Sequence, residues 1–266
     1  MNTFGFIGTG NMGSALARAA AATLPGRQIL LSNRTAAKAE ALAAELGCTA
    51  ADNAAIAQQA DYIFLGVKPQ MMAGMLAEIA PILAARKDRF ILVSMAAALT
   101  MDRIREMAGG SYPVIRIMPN TPSAIGEGMI LYACDSAITQ EEEALFLSGM
   151  AKAGRLSPLP EHLIDAGSCV AGCGPAFVDL FLEALADGGV ACGLPRASAL
   201  EFAAQMMVGS AKLVLESGKH PGALKDAVCS PGGTTIQGVR ALEKAGFRGA
   251  VMDAVIAAYE KKFDLH

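Results

Sequence analysis

Histidine is scarce in this chain of 266 residues: His162, His220 and His266 are the only three, and none stands at ligand spacing from a cysteine or another histidine. The six cysteines, Cys48, Cys134, Cys169, Cys173, Cys192 and Cys229, contain no C-x-x-C pair. That pattern argues against a structural zinc, and a chain this long needs no disulfide staples, so the thiols are read as reduced and buried. Net charge is also lacking. A formal value of −3 offers no general attraction to a phosphate backbone, which excludes nucleic acid as the natural partner. No run of eighteen apolar residues is free of charge or glycine, and no basic segment precedes the apolar N-terminal stretch, so neither a membrane span nor a secretory leader is expected and the cytoplasm is the expected compartment. Internal repeats, low-complexity segments beyond an alanine bias, and a convincing nucleophilic triad are absent too.

What is present is a globular composition on the apolar side, 53% hydrophobic against 18% charged. At this length two domains are expected, with roughly three-quarters of the unfolded surface buried on folding. The apolar excess has two readings, burial between subunits or plain alanine richness.

The chain opens on Phe4 to Gly13, F-G-F-I-G-T-G-N-M-G, an apolar run that stops in three spaced glycines. Gly8 suits a tight turn, Gly10 a close approach of backbone to a pyrophosphate, and Gly13 close packing of the next helix on the strand. The intervening Thr9, Asn11 and Met12, with Ile7 before them, complete the candidate loop, and the unpaired amides of the helix after it face the anion. Such a turn also occurs with no ligand. Its place in a strand–turn–helix–strand unit of about thirty residues is what points to a dinucleotide.

Further strands are expected at Gln28 to Ser32, Tyr62 to Val67, Phe90 to Met95 and Val114 to Met118, with helical patterns between them. This alternation predicts an α/β fold, an N-terminal Rossmann-type doubly wound and mainly parallel sheet with its ligand beyond the carboxyl ends of the strands. The residues there are polar: Asn33-Arg34-Thr35, Lys68-Pro69-Gln70, Ser94, and Pro119 to Pro122. Ser32-Asn33-Arg34-Thr35 carries no acid where an NAD site places one for the ribose 2′-hydroxyl, and Arg34 can pair with a 2′-phosphate. NADP is therefore the expected cofactor; the alternative for Arg34 is a solvated loop arginine.

After about Lys152 strand-like runs disappear, and helical stretches follow at Pro175 to Cys192, Pro195 to Ser217, Thr234 to Lys244 and from Arg248 on. The boundary is placed near Arg155 to Pro160, giving a dinucleotide-binding domain over 1–155 and an all-helical domain over 156–266. Asp179, Glu183 and Asp187 form an acidic stripe that reads as a solvated face. Helices apolar on several faces need partners, so dimerisation through this half is expected.

The most specific stretch runs from Pro221 to Glu243, P-G-A-L-K-D-A-V-C-S-P-G-G-T-T-I-Q-G-V-R-A-L-E. With it, the glycine motif, V-K-P-Q at Val67 to Gln70, R-I-M-P-N-T-P at Arg116 to Pro122, G-C-G-P-A at Gly172 to Ala176 and A-D-G-G-V near Asp187, the chain resembles the pyrroline-5-carboxylate reductase family over essentially its whole length. The resemblance implies reduction of a cyclic imine to L-proline by NADPH, with NADH a weaker donor, in a homodimer or a multiple of one. It also implies that Asn53 contacts the ribose and that Val67, Lys68, Pro69, Met95, Ala96 and Ala97 line the cofactor path. Two positions depart from the family, Cys173 where serine is usual and Ala171 where a hydroxyl is common.

Imine reduction needs a held hydride donor and a dry site, with no nucleophile or metal. The turn Ser230 to Thr235 is a glycine-rich entry to a helix and suits the substrate carboxylate, with Ser230, Gly232, Gly233 and Thr234 around it and the Thr235 hydroxyl nearest the imine nitrogen. The plain alternative is a helix cap made by Thr234 or Thr235. An NADP-dependent hydroxyacid dehydrogenase is a rival, but that family resemblance calls for a lysine on the long helix, and none lies between Pro175 and Cys192. A non-catalytic NADP(H) sensor would not need the second glycine turn.

Overall fold

A computed structural model describes residues 2–263, so His266 lies outside the described residues. Eight strands form one sheet: β1 (Phe4–Ile7), β2 (Ile29–Ser32), β3 (Thr49–Ala50), β4 (Tyr62–Leu65), β5 (Ile91–Ser94), β6 (Val114–Met118), β7 (Gly128–Cys134) and β8 (Gly154–Pro158). Their order is β3-β2-β1-β4-β5-β6-β7-β8, and every pairing is parallel except β6 with β7. The helices of this part are α1 (Asn11–Ala21), α2 (Ala36–Leu46), α3 (Asn53–Gln59), α4 (Pro69–Ala85), α5 (Met101–Ala108), α6 (Gln140–Met150) and α7 (Glu161–Ala171).

The strands β1, β2, β4, β5 and β6 read as nearly continuous apolar runs because both sheet faces are covered, as a parallel sheet requires. Phe4, Phe6, Phe64, Val93 and Ile117 pack with Leu16 and Phe146 on one face. Ile7, Ile63, Leu65, Leu92 and Val114 pack with Ile56, Leu76 and Ile104 on the other. Phe6 stacks on Phe64 with ring centroids 4.3 Å apart. Gly5 has no side chain because α3 passes too close: a methyl group there would come 2.4 Å from Ile56 Cγ2.

Three strands have no counterpart in the sequence reading. β3 is two residues long, β7 follows a short 3-10 turn over Thr121–Ile125, and β8 falls after Lys152, where no strand is expected. β8 is a partly exposed edge strand beside β7, so it lacks the apolar run that marks the inner strands.

Two compact units result: the residues up to Gly172 together with the chain end from Lys261, and Cys173–Glu260. The sequence boundary at Arg155 to Pro160 lies one helix earlier, because α7 packs on β7 and β6. A buried ion cluster fixes that helix. Arg116 on β6, 1% exposed, pairs with Asp165 of α7 at 2.8 Å and Glu161 at 3.6 Å, and Lys262 reaches the same Asp165 carboxylate at 2.9 Å. Burial alone would raise the Asp165 carboxyl, but Lys262 and Arg116 hold it below the ordinary aspartate value.

The second unit is helical: α8 (Gly174–Ala191), α9 (Arg196–Ser217), α10 (Pro221–Ala227), α11 (Thr234–Lys244) and most of α12 (Phe247–Phe263). Its buried apolar residues, among those described, are only Ala186, Ala199 and Ala203. Leu180, Phe202, Leu213, Leu215, Val228 and Met252 are all more than half exposed. A helical unit with so small a core of its own needs a partner surface.

Candidate functional site

The strand register sets the site. Ser32, Ile7, Leu65, Ser94 and Arg116 are successive partners across β2, β1, β4, β5 and β6, so the loops that leave these strands start at nearly one level. The glycine turn, Asn33-Arg34, Gly66-Val67-Lys68 and Met95 to Ala97 therefore share one sheet edge. This row holds because the strands are short, parallel and in register, and it places residues up to ninety positions apart side by side.

Within that edge three glycines pack backbone to backbone. Gly8 has φ +97, and a methyl group on it would come 2.8 Å from the Gly66 carbonyl carbon. One on Gly66 would come 2.5 Å from the Gly8 oxygen, and one on Gly13 would come 2.1 Å from the same oxygen. Gly8 and Gly13 thus tie β1 to α1 as the sequence spacing implies, and Gly66 is a third member that spacing alone did not reveal. Ser32 closes the turn, since its carbonyl accepts the Gly8 and Thr9 amides at 3.0 and 3.1 Å. The Thr9 hydroxyl donates to the same carbonyl at 3.3 Å and accepts from Asn33 Nδ2 at 3.1 Å. Thr9 is buried and used by the turn itself.

Gly10 is different. Its backbone is extended, with φ −73, and a methyl group there would meet no protein atom within 4 Å. Neither packing nor conformation requires glycine at this position, and the open space beside it suits a closely approaching phosphate. Gly10 caps α1 with no side-chain hydrogen bond, so the amides of Asn11, Met12 and Gly13 have no acceptor within their helix. These are the amides that can hold a phosphate, with the helix dipole behind them. The cradle fits a dinucleotide pyrophosphate.

Two cavities flank the turn. One of about 540 Å³ is lined by Ile7, Gly8, Arg34, Asn53 and Val67, with Gln70 and Met71 from α4. The other, about 370 Å³, is lined by Ser32, Asn33, Arg34, Asp52 and Asn53, with Glu40 from α2. Arg34, Asn53 and Glu78 line both. Among the described residues Arg34 makes no ion pair, and its Nη1 lies 3.9 Å from the Met71 sulfur. Asn53 accepts from the Ser32 hydroxyl at 2.5 Å. Lys68 caps α4, Pro69 is its first residue, and both are exposed at the same edge. Met95 is half-buried, Ala96 buried and Ala97 exposed, and Ala98 beside them is the non-glycine residue with a left-handed φ, 63°. Gln70 was read from the sequence as part of this edge; Glu40, Asp52, Met71 and Glu78 were not, since no periodic signal links them to the second strand.

The second glycine turn lies in the other unit. Gly233 donates to the Ser230 carbonyl at 3.0 Å, Gly232 has φ +70, and a methyl group on Gly233 would come 2.3 Å from Ser230 Oγ. α11 then starts at Thr234 with no side-chain cap. Thr234 and Thr235 are exposed, and the first amides of the helix lack intrahelical acceptors. The arrangement offers amides and hydroxyls to an anion.

Burial pushes the Cys134 thiol up to about 12 and raises Cys48 as well, which leaves both protonated. Among the described residues no group of three His, Cys, Asp or Glu side chains could hold a metal ion.

Comparison with known proteins sorts the two units. Residues 161–265 match the model of pyrroline-5-carboxylate reductase dimerisation, and residues 3–98 match that of NADP oxidoreductase, coenzyme F420-dependent. A pyrroline-5-carboxylate reductase of Escherichia coli is 45% identical over 97% of this chain and 96% of its own, and one of Pisum sativum is 39% identical over 99% and 96%. The solved pyrroline carboxylate reductase of Plasmodium falciparum with NADP bound superposes with a TM-score of 0.84 at 31% identity, covering 98% of this chain and 97% of that one. The Coxiella burnetii pyrroline-5-carboxylate reductase gives a TM-score of 0.91 at 28% identity over 99% and 98%. With a similarity that runs through both units and across nearly the full length of each relative, the chain belongs to the pyrroline-5-carboxylate reductase family.

Proposed function

We propose that this chain reduces the cyclic imine 1-pyrroline-5-carboxylate to L-proline with NADPH, NADH serving as the weaker donor, as the last step of proline synthesis. The observation that carries the reading is the near full-length similarity to curated reductases of that name. The bare start of α1 at Gly10 supports the cofactor half of it. When bound, the reduced nicotinamide supplies the hydride. The chain's own residues do the rest by holding and orienting. Asn11, Met12 and Gly13 offer amides to the pyrophosphate, Ser32, Asn33, Arg34 and Asn53 surround the adenosine ribose, and Val67, Lys68, Pro69 and Met95 to Ala97 form the path toward the nicotinamide. Ser230, Gly232, Gly233 and Thr234 hold the substrate carboxylate at the start of α11, and the Thr235 hydroxyl orients the imine nitrogen or relays a proton to it from water. The working form is a homodimer or a multiple of one. Free thiols at all six cysteines accord with a cytoplasmic enzyme.

The stretch Glu161–Ala191 is long and apolar enough by composition to cross a membrane, with a mean hydropathy of 1.6. Asp179, Glu183 and Asp187 put carboxylates on three successive turns of α8, which favours a protein partner over lipid. NADPH oxidation that depends on the imine, followed with the purified chain, tests the proposal; cofactor binding without turnover would leave the sensor reading in its place.

The second and third glycines of the turn separate ligand from fold. Gly10→Ala is expected to leave the melting temperature unchanged and to weaken NADPH binding by at least about tenfold, since the added methyl group enters space that only the ligand uses. Gly13→Ala meets the Gly8 carbonyl instead and is expected to cost about 1–3 kcal/mol of stability. Calorimetry of both variants, unfolding and NADPH titration, checks the contrast.

Arg34→Ala is expected to narrow the NADPH over NADH preference in kcat/KM by about tenfold, the loss of one charge-assisted contact to the 2′-phosphate. An unchanged ratio would remove Arg34 from that role.

A further inference from the structure

Glu78 reaches the cofactor side of the first unit from α4, a helix whose sequence shows no sign of it. It lines both cavities that meet at Arg34 and Asn53. Its Oε2 lies 3.5 Å from Asn53 Nδ2, while Asn53 Oδ1 accepts the Ser32 hydroxyl at 2.5 Å. Ser32, Asn53 and Glu78 therefore form one directed chain of donors that ends on a carboxylate. Two other carboxylates border the smaller cavity, and both are placed differently. Asp52 Oδ1 accepts the Ala55 amide at 2.7 Å as the cap of α3, and Glu40 lines the smaller cavity but not the larger.

We infer that Glu78 is a specificity-determining residue that sets the choice between a ribose 2′-hydroxyl and a 2′-phosphate, in opposition to Arg34. The inference rests on the reading that the glycine turn holds a nicotinamide dinucleotide. An ionised carboxylate has only acceptor sites. Against a 2′-hydroxyl it takes the O–H; against a 2′-phosphate it adds a negative charge to a group of the same sign, in a partly enclosed cavity where screening is weaker than in bulk water. The two demands on the same position conflict, and Arg34 and Glu78 each serve one of them. Glu78 also consumes the Asn53 amide as a donor, so the Asn53 N–H bonds are divided between the carboxylate and the ligand. This gives a physical route by which the pocket would also take a dinucleotide with a free 2′-hydroxyl although its second strand ends without an acid.

The test is Glu78→Gln, which keeps the side chain's volume and can still accept from Asn53, with titration calorimetry against 2′,5′-ADP and 5′-AMP as well as NADPH and NADH. These adenosine fragments report binding without turnover. The expected result is a five- to twentyfold shift, on the order of one charge–charge contact, of the 2′,5′-ADP to 5′-AMP affinity ratio toward the phosphorylated fragment, matched by the NADPH to NADH ratio. Glu78 is exposed on α4, so the melting temperature should stay at the parent value. Glu40→Gln serves as the comparison and is expected to move the ratio less than twofold. A parent-like ratio in Glu78→Gln overturns the assignment, and an equal shift in both variants overturns it in favour of a general field of carboxylates. Failure of the parent chain to bind either dinucleotide would instead overturn the cofactor reading on which the inference stands.

Discussion

Replacing Thr235 by alanine should lower kcat/KM for the imine by about ten- to a thousandfold, the range for losing one positioned polar contact to a transition state, while NADPH affinity stays where it was. The expectation rests on where the hydroxyl sits. α11 begins at Thr234 behind a turn in which Gly232 has a left-handed φ and Gly233 presses on Ser230, so the backbone there is committed to one shape. The N-cap of α11 is Gly233, which has no side chain to cap with, so the Thr234 and Thr235 hydroxyls stand inside the first turn rather than at the cap position. Loss of a true cap would cost about 1 kcal/mol of stability; with no such bond to lose, the variant should melt at nearly the parent temperature. Steady-state kinetics beside thermal unfolding decide the matter. A variant that is fully active would move the substrate role to the amides of Gly232 to Thr234, and one that is less stable yet fully active would make Thr235 a cap after all. Thr235→Ser restores the hydroxyl and should recover most of the rate.

Phe202→Glu should abolish assembly and activity together. Phe202 lies on α9, 58% exposed in the single chain, within a helical unit whose own buried apolar residues are three alanines. Leu180, Leu213, Leu215 and Met252 are similarly exposed. Taking such side chains out of water contributes about 1.5–3 kcal/mol each on full burial, so a handful of them suffices to hold two chains together. A carboxylate placed among them is buried without a partner, which costs several kcal/mol and turns the same surface against association. Light scattering should report a monomer, and the imine-dependent oxidation of NADPH should vanish with the dimer. An active monomeric Phe202→Glu would contradict the homo-oligomeric working form, whereas an active dimer would place Phe202 outside the interface. Gln205→Glu, also at an exposed position on α9, adds the same single negative charge without removing an apolar side chain and is the matching charge control.

What the sequence determined by itself is whatever is local or periodic. The strand–turn–helix at Phe4 to Gly13, the parallel strands at β2, β4, β5 and β6 and the helices α8, α9, α11 and α12 each carry their signal within one short window, because burial on both sheet faces writes an uninterrupted apolar run and helix ends are written by Gly and Pro; the short α10 was not read. The glycine turn was legible for the same reason, since Gly13 answers a contact with Gly8 inside one βα unit, whereas the contact of Gly8 with Gly66 crosses to the loop after β4 and was not. β8 was not, since a half-exposed edge strand has no such run. α7 was assigned by composition to the helical half, and only its packing on β7, held by the buried Arg116 and Asp165, put it with the sheet. The surroundings of Arg34 show the limit most clearly. Read along the chain, the end of the second strand has no acid near it. In the folded unit, α2, α3 and α4 bring Glu40, Asp52 and Glu78 to the same cavities, because the helices that cover one parallel sheet converge on one edge however far apart they lie in sequence. The family and its chemistry were written in short motifs, and the need of the helical half for a partner in its apolar faces; the charge balance beside Arg34 exists only once the strands have set α2, α3 and α4 side by side.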